Sequence, residues 1–281
     1  MNAKIKYALR RFLPPFLLDF IERLFVLYRF FCFKHKHLLN SNNDLHNCAK
    51  GKRAFLIATG PSLRLENLKL LAGEDCFTVS NFYLHEDLHY VKPKMHFFAP
   101  YHAPMILENY ADWLKQADQK LPDTTEIILG HSTYEIVKKF GLFSGRKVRY
   151  VFLGGSCDCS NIDIRYPIIS PQTGPIMAFP VLAYMGYSEI YLLGCDQTVL
   201  RDYKKNIQNF YDNSKDIRIQ ATTGECWTDI IDSHLASMNA CKQYKIFADC
   251  LRLNGVKIIN LSQDSWLDFF ESGRLTRVLN N

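Results

Sequence analysis

Thr173-Gly174-Pro175-Ile176-Met177-Ala178-Phe179-Pro180-Val181-Leu182-Ala183-Tyr184-Met185-Gly186-Tyr187-Ser188-Glu189-Ile190-Tyr191-Leu192-Leu193-Gly194-Cys195-Asp196-Gln197 is the stretch whose reading decides the fold. Thr173 is placed to cap a helix that takes Pro175 in its first turn, where no intrahelical partner is needed for its nitrogen. The helix body, Ile176 to Met185, is apolar on every side and is expected to be buried. Gly186 supplies a left-handed stop, and Glu189 to Leu193 reads as a buried strand. The strand ends on Gly194-Cys195-Asp196, which brings a carboxylate to the carboxyl edge of a sheet. In open α/β sheets that edge is where ligands bind.

The same alternation runs outward in both directions. Upstream, Ala54–Ala58 reads as a strand closed by the turn Thr59-Gly60-Pro61-Ser62-Leu63 and a helix start. Phe77–Val79 and Met95–Ala99 read as further strands, followed by a helix over about 104–119, strand Glu126–Leu129, a helix over about 133–140 and strand Val148–Leu153. Downstream, a polar excursion over 197–229 leads to a helix over about 231–253, strand Val256–Leu261 and a terminal helix from about 264. Strands alternating with helices predict an α/β fold, a parallel sheet with helices on both faces. An irregular excursion of this length is uncommon without a function, and its Arg201, Tyr203, Tyr211, Arg218 and Trp227 suit a lid over a sugar or acid.

Charge divides the chain. Residues 1–37 hold eight Lys/Arg against Asp19 and Glu22, while the remaining 26 basic and 26 acidic residues cancel. The body therefore has no basic excess to serve a nucleic-acid face. In 1–37 the bases interleave with Phe12, Phe16, Phe20, Leu24, Leu27, Phe31 and other bulky apolar residues. Charges interrupt the run too often for a membrane span, which needs about 20 mostly apolar residues. The pattern suits an amphipathic helical arm lying in an anionic membrane surface, with a helix packed on the body or a second subunit as the alternative. Residues 38–52 read as a polar linker and 53–281 as the folded domain.

Nine cysteines, an odd number without a C-x-x-C pair, predict free thiols in a reducing, cytoplasmic compartment and no zinc site. Thr59-Gly60-Pro61-Ser62 stands where nucleotide-binding α/β folds put their phosphate turn, and free N–H groups at a helix start attract anions. It is neither G-x-G-x-x-G nor a P-loop, so an ordinary strand-to-helix turn is the alternative. No D-x-D or G-x-S-x-G occurs. His234 follows Asp229, Asp232 and Ser233 at the start of the long helix, directly after the excursion. Neighbouring carboxylates would fix its tautomer and raise its basicity, which makes it the candidate general base. His85, His89, His96 and His131 lack such a setting, and His102 lies past a strand end, where it could line a cleft.

Two blocks resemble a known family. Ile57-Ala58-Thr59-Gly60-Pro61-Ser62-Leu63 with Ser80-Asn81-Phe82-Tyr83 is similar to the opening of bacterial lipooligosaccharide sialyltransferases, and Thr173-Gly174 through Asp196 is similar to their S-G…L-G-Y-K-E-I-Y-L-x-G-x-D segment. The blocks also resemble a wider group that includes motility accessory factors and archaeal pterin pyrophosphokinase-like proteins. The resemblance spans roughly 53–261. It implies a Rossmann-like domain that takes a CMP-linked sugar as co-substrate, without metal or other cofactor, and uses a histidine base. It further implies that Gly60, Pro61 and Ser62 face the nucleotide phosphate or ribose and that Asn81 lies near the sugar or leaving phosphate. Thr173 and Gly174 would meet the donor carboxylate or cytosine, Asp196 would border the nucleotide, and His234 would be the base.

Departures from the pattern fall at Thr59, Ser80 and Ala99, where the family carries asparagines, and at Gln197-Thr198, where it carries aromatic residues. They leave the donor sugar open. The expected function is transfer of a nucleotide-activated sugar to a glycan or lipid-linked glycan of the cell surface, by a peripheral protein at the inner face of a bacterial membrane. A pyrophosphokinase or other nucleotide-dependent transferase, or a non-catalytic nucleotide-binding relative, is the alternative.

Overall fold

Eight parallel strands form the sheet in a computed structural model that describes residues 13–103, 105–155, 162–203, 208–218 and 229–280. In chain order these are β1 (Arg53–Ile57), β2 (Cys76–Val79), β3 (Met95–Phe97), β4 (Glu126–Gly130), β5 (Val148–Val151), β8 (Glu189–Leu193), β9 (Lys257–Asn260) and β10 (Glu271–Ser272), with β6 (Leu153–Gly155) and β7 (Ile168–Ile169) pairing separately. The helices are α1 (Pro15–Phe31), α2 (Lys36–Asn40), α3 (Leu88–Val91), α4 (Leu107–Lys120), α5 (Tyr134–Phe140), α6 (Gly174–Tyr184), α7 (Ile230–Leu253) and α8 (Leu275–Leu279). The fold class is the Rossmann-like α/β arrangement expected from the alternation.

Strand order is β10-β9-β8-β1-β2-β3-β4-β5. The chain runs outward from β1 to β5, then returns through α6 to place β8 on the other flank of β1. The order therefore reverses between β1 and β8, where Phe55 pairs with Tyr191 and Ile57 with Leu193. A crevice forms at the carboxyl ends of such a pair because the connections leave it in opposite directions. Alternate residues of one strand feed opposite cores: Ala54 and Leu56 pack with α6, while Phe55 and Ile57 pack with Trp113 and Leu114 of α4. Burial on both faces is why these strands read as continuous apolar runs. Helix α6 is buried almost throughout, as its all-apolar surface requires, and Gly186 follows it at φ 87°.

Several expectations change on contact with the structure. The turn after β1 leads into a short 3₁₀ helix, Pro61–Leu65, in place of an α-helix. The strand expected over 148–153 splits at Phe152 into β5 and β6, and the terminal helix begins at Leu275, not near 264. Residues 38–52 are not a linker: Asn42 donates to the Tyr150 carbonyl (2.9 Å), and the Ala49 and Gly51 nitrogens donate to the Met185 and Gly186 carbonyls (2.8 and 3.0 Å). The central contact is Arg149, whose side chain is 2% exposed and forks onto both oxygens of Asp44 (2.6 and 2.8 Å) while its Nε donates to Glu126.

That guanidinium holds the Asp44 carboxyl well below the usual carboxylate range. A lowered acid stabilises the fold above its ordinary value of 3.8 and loses that contribution as pH falls below it. Arg149→Met is expected to cost roughly 2 kcal/mol, below the value for a fully buried pair because Asp44 faces solvent. Urea unfolding at neutral pH and near pH 3 checks both parts. The variant should lose the share of the acid-side decline that Asp44 supplies, and an unchanged decline would refute the assignment.

Candidate active site at the carboxyl edge of the sheet

A cavity of about 490 Å³ opens where β1, β2 and β8 end, within the roughly 300–1,000 Å³ typical of small-molecule sites. Thr59, Gly60 and Pro61 form one wall, Ser80 a second, and Gln172, Thr173, Gly174 and Pro175 a third. Asp196, Gln197 and Thr198 close the base, while Asp232, Ser233, Ala236, Ser237 and Tyr244 of α7 form the far side. Gln208, Asn209, Tyr211, Asp216 and Arg218 arrive from the excursion. The excursion is docked on the first turn: the Phe210 nitrogen donates to the Thr59 carbonyl (3.0 Å), Thr59 Oγ1 donates to Asn209 Oδ1 (3.2 Å), and Arg64 Nε donates to the Phe210 carbonyl (2.9 Å). Residues 204–207 and 219–228, including Trp227, lie outside the described residues.

The first turn and the end of β8 are built as one unit. Asp196 is buried and accepts from the Ser62 nitrogen (2.8 Å) and the Ser62 hydroxyl (2.5 Å). Burial pushes the Asp196 carboxyl above its ordinary pKa, and the two bonds from Ser62 act against that shift. Gly60 lies so close that a Cβ there would come within 2.5 Å of Asp196 Oδ2 and of the Gly194 carbonyl. The glycine is thus required by close approach of backbone and carboxylate. Ser62 and Asp196 hold the turn in place, with Asp196 also reaching the cavity floor while Ser62 stands behind it.

Helix α6 points its N-terminus at the cavity, where the positive end of its dipole and the Gly174 N–H favour an anion; Pro175 has no N–H, and that of Ile176 donates to the Thr173 carbonyl (3.2 Å). Gly174 starts it hard against β2, since a Cβ there would sit 2.8 Å from Val79 Cβ. Thr173 precedes the helix in extended backbone, but its hydroxyl makes no capping bond. It donates to the Tyr244 hydroxyl instead, at 3.4 Å, so the expected cap is replaced by a link between α6 and α7.

Ser80 presents the third turn in an unusual state, a non-glycine residue at φ 56°. Its carbonyl is held by His96 Nε2 (2.9 Å), and His96 Nδ1 faces the Thr78 hydroxyl (2.7 Å). A carbonyl can only accept, so Nε2 carries the proton and Nδ1 accepts from Thr78. Full burial lowers the His96 pKa to about 3, so the ring is neutral at physiological pH. Gln197, at the end of β8, is also left-handed at φ 54°, and its Nε2 donates to Ser237 Oγ (3.2 Å). Left-handed non-glycine backbone costs of order 1–3 kcal/mol and persists where its surroundings impose it.

Among the residues singled out from sequence, Thr59, Gly60, Pro61, Ser80, Thr173, Gly174 and Asp196 meet at the cavity. Asn81 does not: it is fully buried, and its Oδ1 accepts from Trp113 Nε1 behind the wall. His234 is exposed and outside the cavity wall, one residue beyond the lining Ser233, with Nδ1 2.8 Å from the Ile230 carbonyl. Asp229 caps α7, accepting from the Ile231 and Asp232 nitrogens (2.9 and 3.0 Å). Sequence reasoning passed over Gln172, Gln208, Asn209 and Ser237, and singled out Gln197 only as a departure from the family pattern. Gln172 directly precedes the decisive stretch, and Ser237 lies one helical turn from Ser233, so position alone could have flagged those two. Among the described residues, no group of three or more His, Cys, Asp or Glu is disposed to hold a metal ion.

The chain matches no protein-family model and none of the curated proteins. The solved structures similar to this chain include sialyltransferases. One is CstII from Campylobacter jejuni in complex with a substrate analogue, cytidine-5'-monophosphate, at 15% identity over 80% of this chain and 86% of that one, TM-score 0.45. A second is CST-II in complex with trisaccharide acceptor and CMP, at 17% identity over 79% and 86%, TM-score 0.45. A third is Campylobacter jejuni CstII with CMP-3FNeuAc, at 16% identity over 79% and 85%, TM-score 0.40.

Proposed function

We propose that the protein transfers a sugar from a nucleotide-activated donor, a CMP-linked acidic sugar, to a hydroxyl of a cell-surface glycan acceptor. The observation that carries this reading is the convergence of the Gly60 turn, the α6 N-terminus and the Asp196 strand end on one cavity, because these are the blocks that resemble sialyltransferases in sequence. The lining supports it. Gln172, Gln197, Gln208, Asn209, Thr59, Ser80, Ser233 and Ser237 offer neutral amides and hydroxyls, which match the hydroxyl-rich surface of a sugar. The α6 N-terminus offers its positive dipole end and the Gly174 N–H to the donor phosphate, and charge growing on the departing phosphate would be met there and by the Ser80 hydroxyl.

His234 is the base in this reading. Since the Ile230 carbonyl accepts, Nδ1 carries the proton and Nε2 keeps the lone pair that could take a proton from the acceptor hydroxyl. The α7 turn that carries it also carries the lining residues Asp232 and Ser233, so the acceptor would enter along this end of the helix.

The test is phosphorus NMR of a CMP-linked sugar donor mixed with a glycan acceptor and EDTA. Acceptor-dependent release of CMP is expected, and His234→Ala should lower kcat by about 100-fold or more with little change in donor KM. Full activity of His234→Ala would reassign the base and leave the transfer intact. Turnover that needs ATP and magnesium, with none of the sugar donor consumed, would replace the reading by a pyrophosphokinase-type transfer.

A further inference from the structure

Helix α1 is fastened to the body by one face only. Phe30 packs edge-on to Phe152 with ring centres 5.3 Å apart, Leu18 is buried, and Val26 lies over Gly154. On the other side Phe16, Phe20, Leu24, Leu27 and Phe31 recur at intervals of four, four, three and four residues, so they share one stripe. All five are exposed, from 44% for Leu27 to 73% for Phe16. A water-soluble helix reverses this pattern by turning its charged side outward. Here both sides of the helix are apolar, and on the free one Lys36 reaches over the Phe31 ring (5.2 Å) while all five side chains stay exposed.

Charge says what covers it. Arg23 is exposed on the flank of the stripe, where Asp19 is the one exposed acid of the helix, Lys34 is exposed beyond its end, and Lys4, Lys6, Arg10 and Arg11 precede it in a stretch, residues 1–18, that contains no acid. A second copy meeting this face with the same face would bring two such basic segments together, which like-charge repulsion opposes. An anionic surface neutralises them. No helix among the described residues is long and apolar enough to cross a membrane. An apolar stripe rimmed by Lys and Arg on a helix too polar to span is the signature of a helix lying in a bilayer interface.

We propose that the outward stripe of α1 docks the protein on an anionic bilayer surface, with Phe16, Phe20, Leu24, Leu27 and Phe31 in the acyl boundary and the surrounding Lys and Arg among the headgroups. The inference rests on α1 and not on the transfer reading. Failure of one leaves the other standing.

The experiment is cosedimentation of the full chain with vesicles of phosphatidylglycerol and phosphatidylcholine, against vesicles of phosphatidylcholine alone, with the variant Phe20→Ser/Leu24→Ser/Leu27→Ser alongside. The wild type is expected to pellet with the anionic vesicles only, and to be released as salt rises from about 0.1 to 1 M. The variant should bind about tenfold more weakly while keeping its Tm and its nucleotide affinity. Equal vesicle binding by the variant, or no binding by the wild type, would overturn the proposal. So would a dimer in sedimentation velocity that the variant converts to monomer without any vesicle binding, since the stripe would then be a subunit contact.

Discussion

Replacing Asp196 by alanine is expected to weaken nucleotide binding by about tenfold or more and to lower stability by about 1–3 kcal/mol. The carboxylate is the joint between two strands' ends. It accepts from both the nitrogen and the hydroxyl of Ser62, and removing it leaves two buried donors without an acceptor. The Gly60 turn, freed from that anchor, would no longer be pinned beside Gly194, where the Gly60 nitrogen donates to the Gly194 carbonyl at 2.8 Å. Asp196→Asn keeps one carbonyl acceptor and is expected to recover part of both losses. Gly60→Ala approaches the same joint from the other side, since its Cβ would intrude on Asp196 and the Gly194 carbonyl. Urea unfolding and calorimetric titration with CMP separate the two effects. An Asp196→Ala protein that binds CMP with wild-type affinity would show that the turn does not need its anchor.

The second large effect is expected at His96, which stands one hydrogen bond behind the cavity wall. His96→Phe removes the donor to the Ser80 carbonyl and the acceptor for Thr78, at a cost of about 1–3 kcal/mol, and lets Ser80 leave its left-handed conformation at the cavity wall. CMP affinity should fall by about tenfold as well. His96→Gln, whose amide nitrogen can donate to Ser80, is expected to restore much of the affinity. The pH dependence has a defined sign. A histidine whose pKa is lowered from 6.5 to about 3 contributes fully above pH 6.5, and its contribution declines as pH falls toward 3, because the unfolded chain binds the proton first. His131, lowered by burial to about 4, acts in the same direction. The slope of stability against pH between 6.5 and 4 should therefore shrink, not vanish, in His96→Gln. Nitrogen-15 NMR of the His96 ring should show the Nε2–H tautomer, and an Nδ1–H tautomer would contradict the role given to it.

Much of this architecture was legible in the sequence because the signals are local. Helix α6 announces itself by apolar residues on every side between Thr173 and Gly186, and the carboxylate at the end of β8 follows within ten residues. The two turns that line the cavity could be placed because each directly follows a strand. What was hidden depends on partners distant in sequence. Asn42 and Asp44 look like linker residues until Tyr150 and Arg149, more than a hundred positions away, supply their contacts. Whether Asn81 or Ser80 faces the ligand turns on one left-handed residue that no composition signals. His96 gave no sign because its partners sit on and beyond the neighbouring strand, and strand register is not written in either strand alone. The excursion was recognised by its length, yet its docking onto Thr59 joins a backbone bond from Phe210, of a kind every residue can make, to a side-chain bond with Asn209, 150 positions away.

The measurement that tests the central claim most directly is calorimetric titration of the full chain with CMP, UMP, GDP and ATP, each with and without magnesium, in parallel with the Asp196→Ala variant. A nucleotide-sugar site at the β1–β8 crevice predicts binding of CMP that magnesium does not alter and that the variant weakens by about tenfold or more. Binding of ATP alone and only with magnesium, or no binding of any of the four, would contradict it.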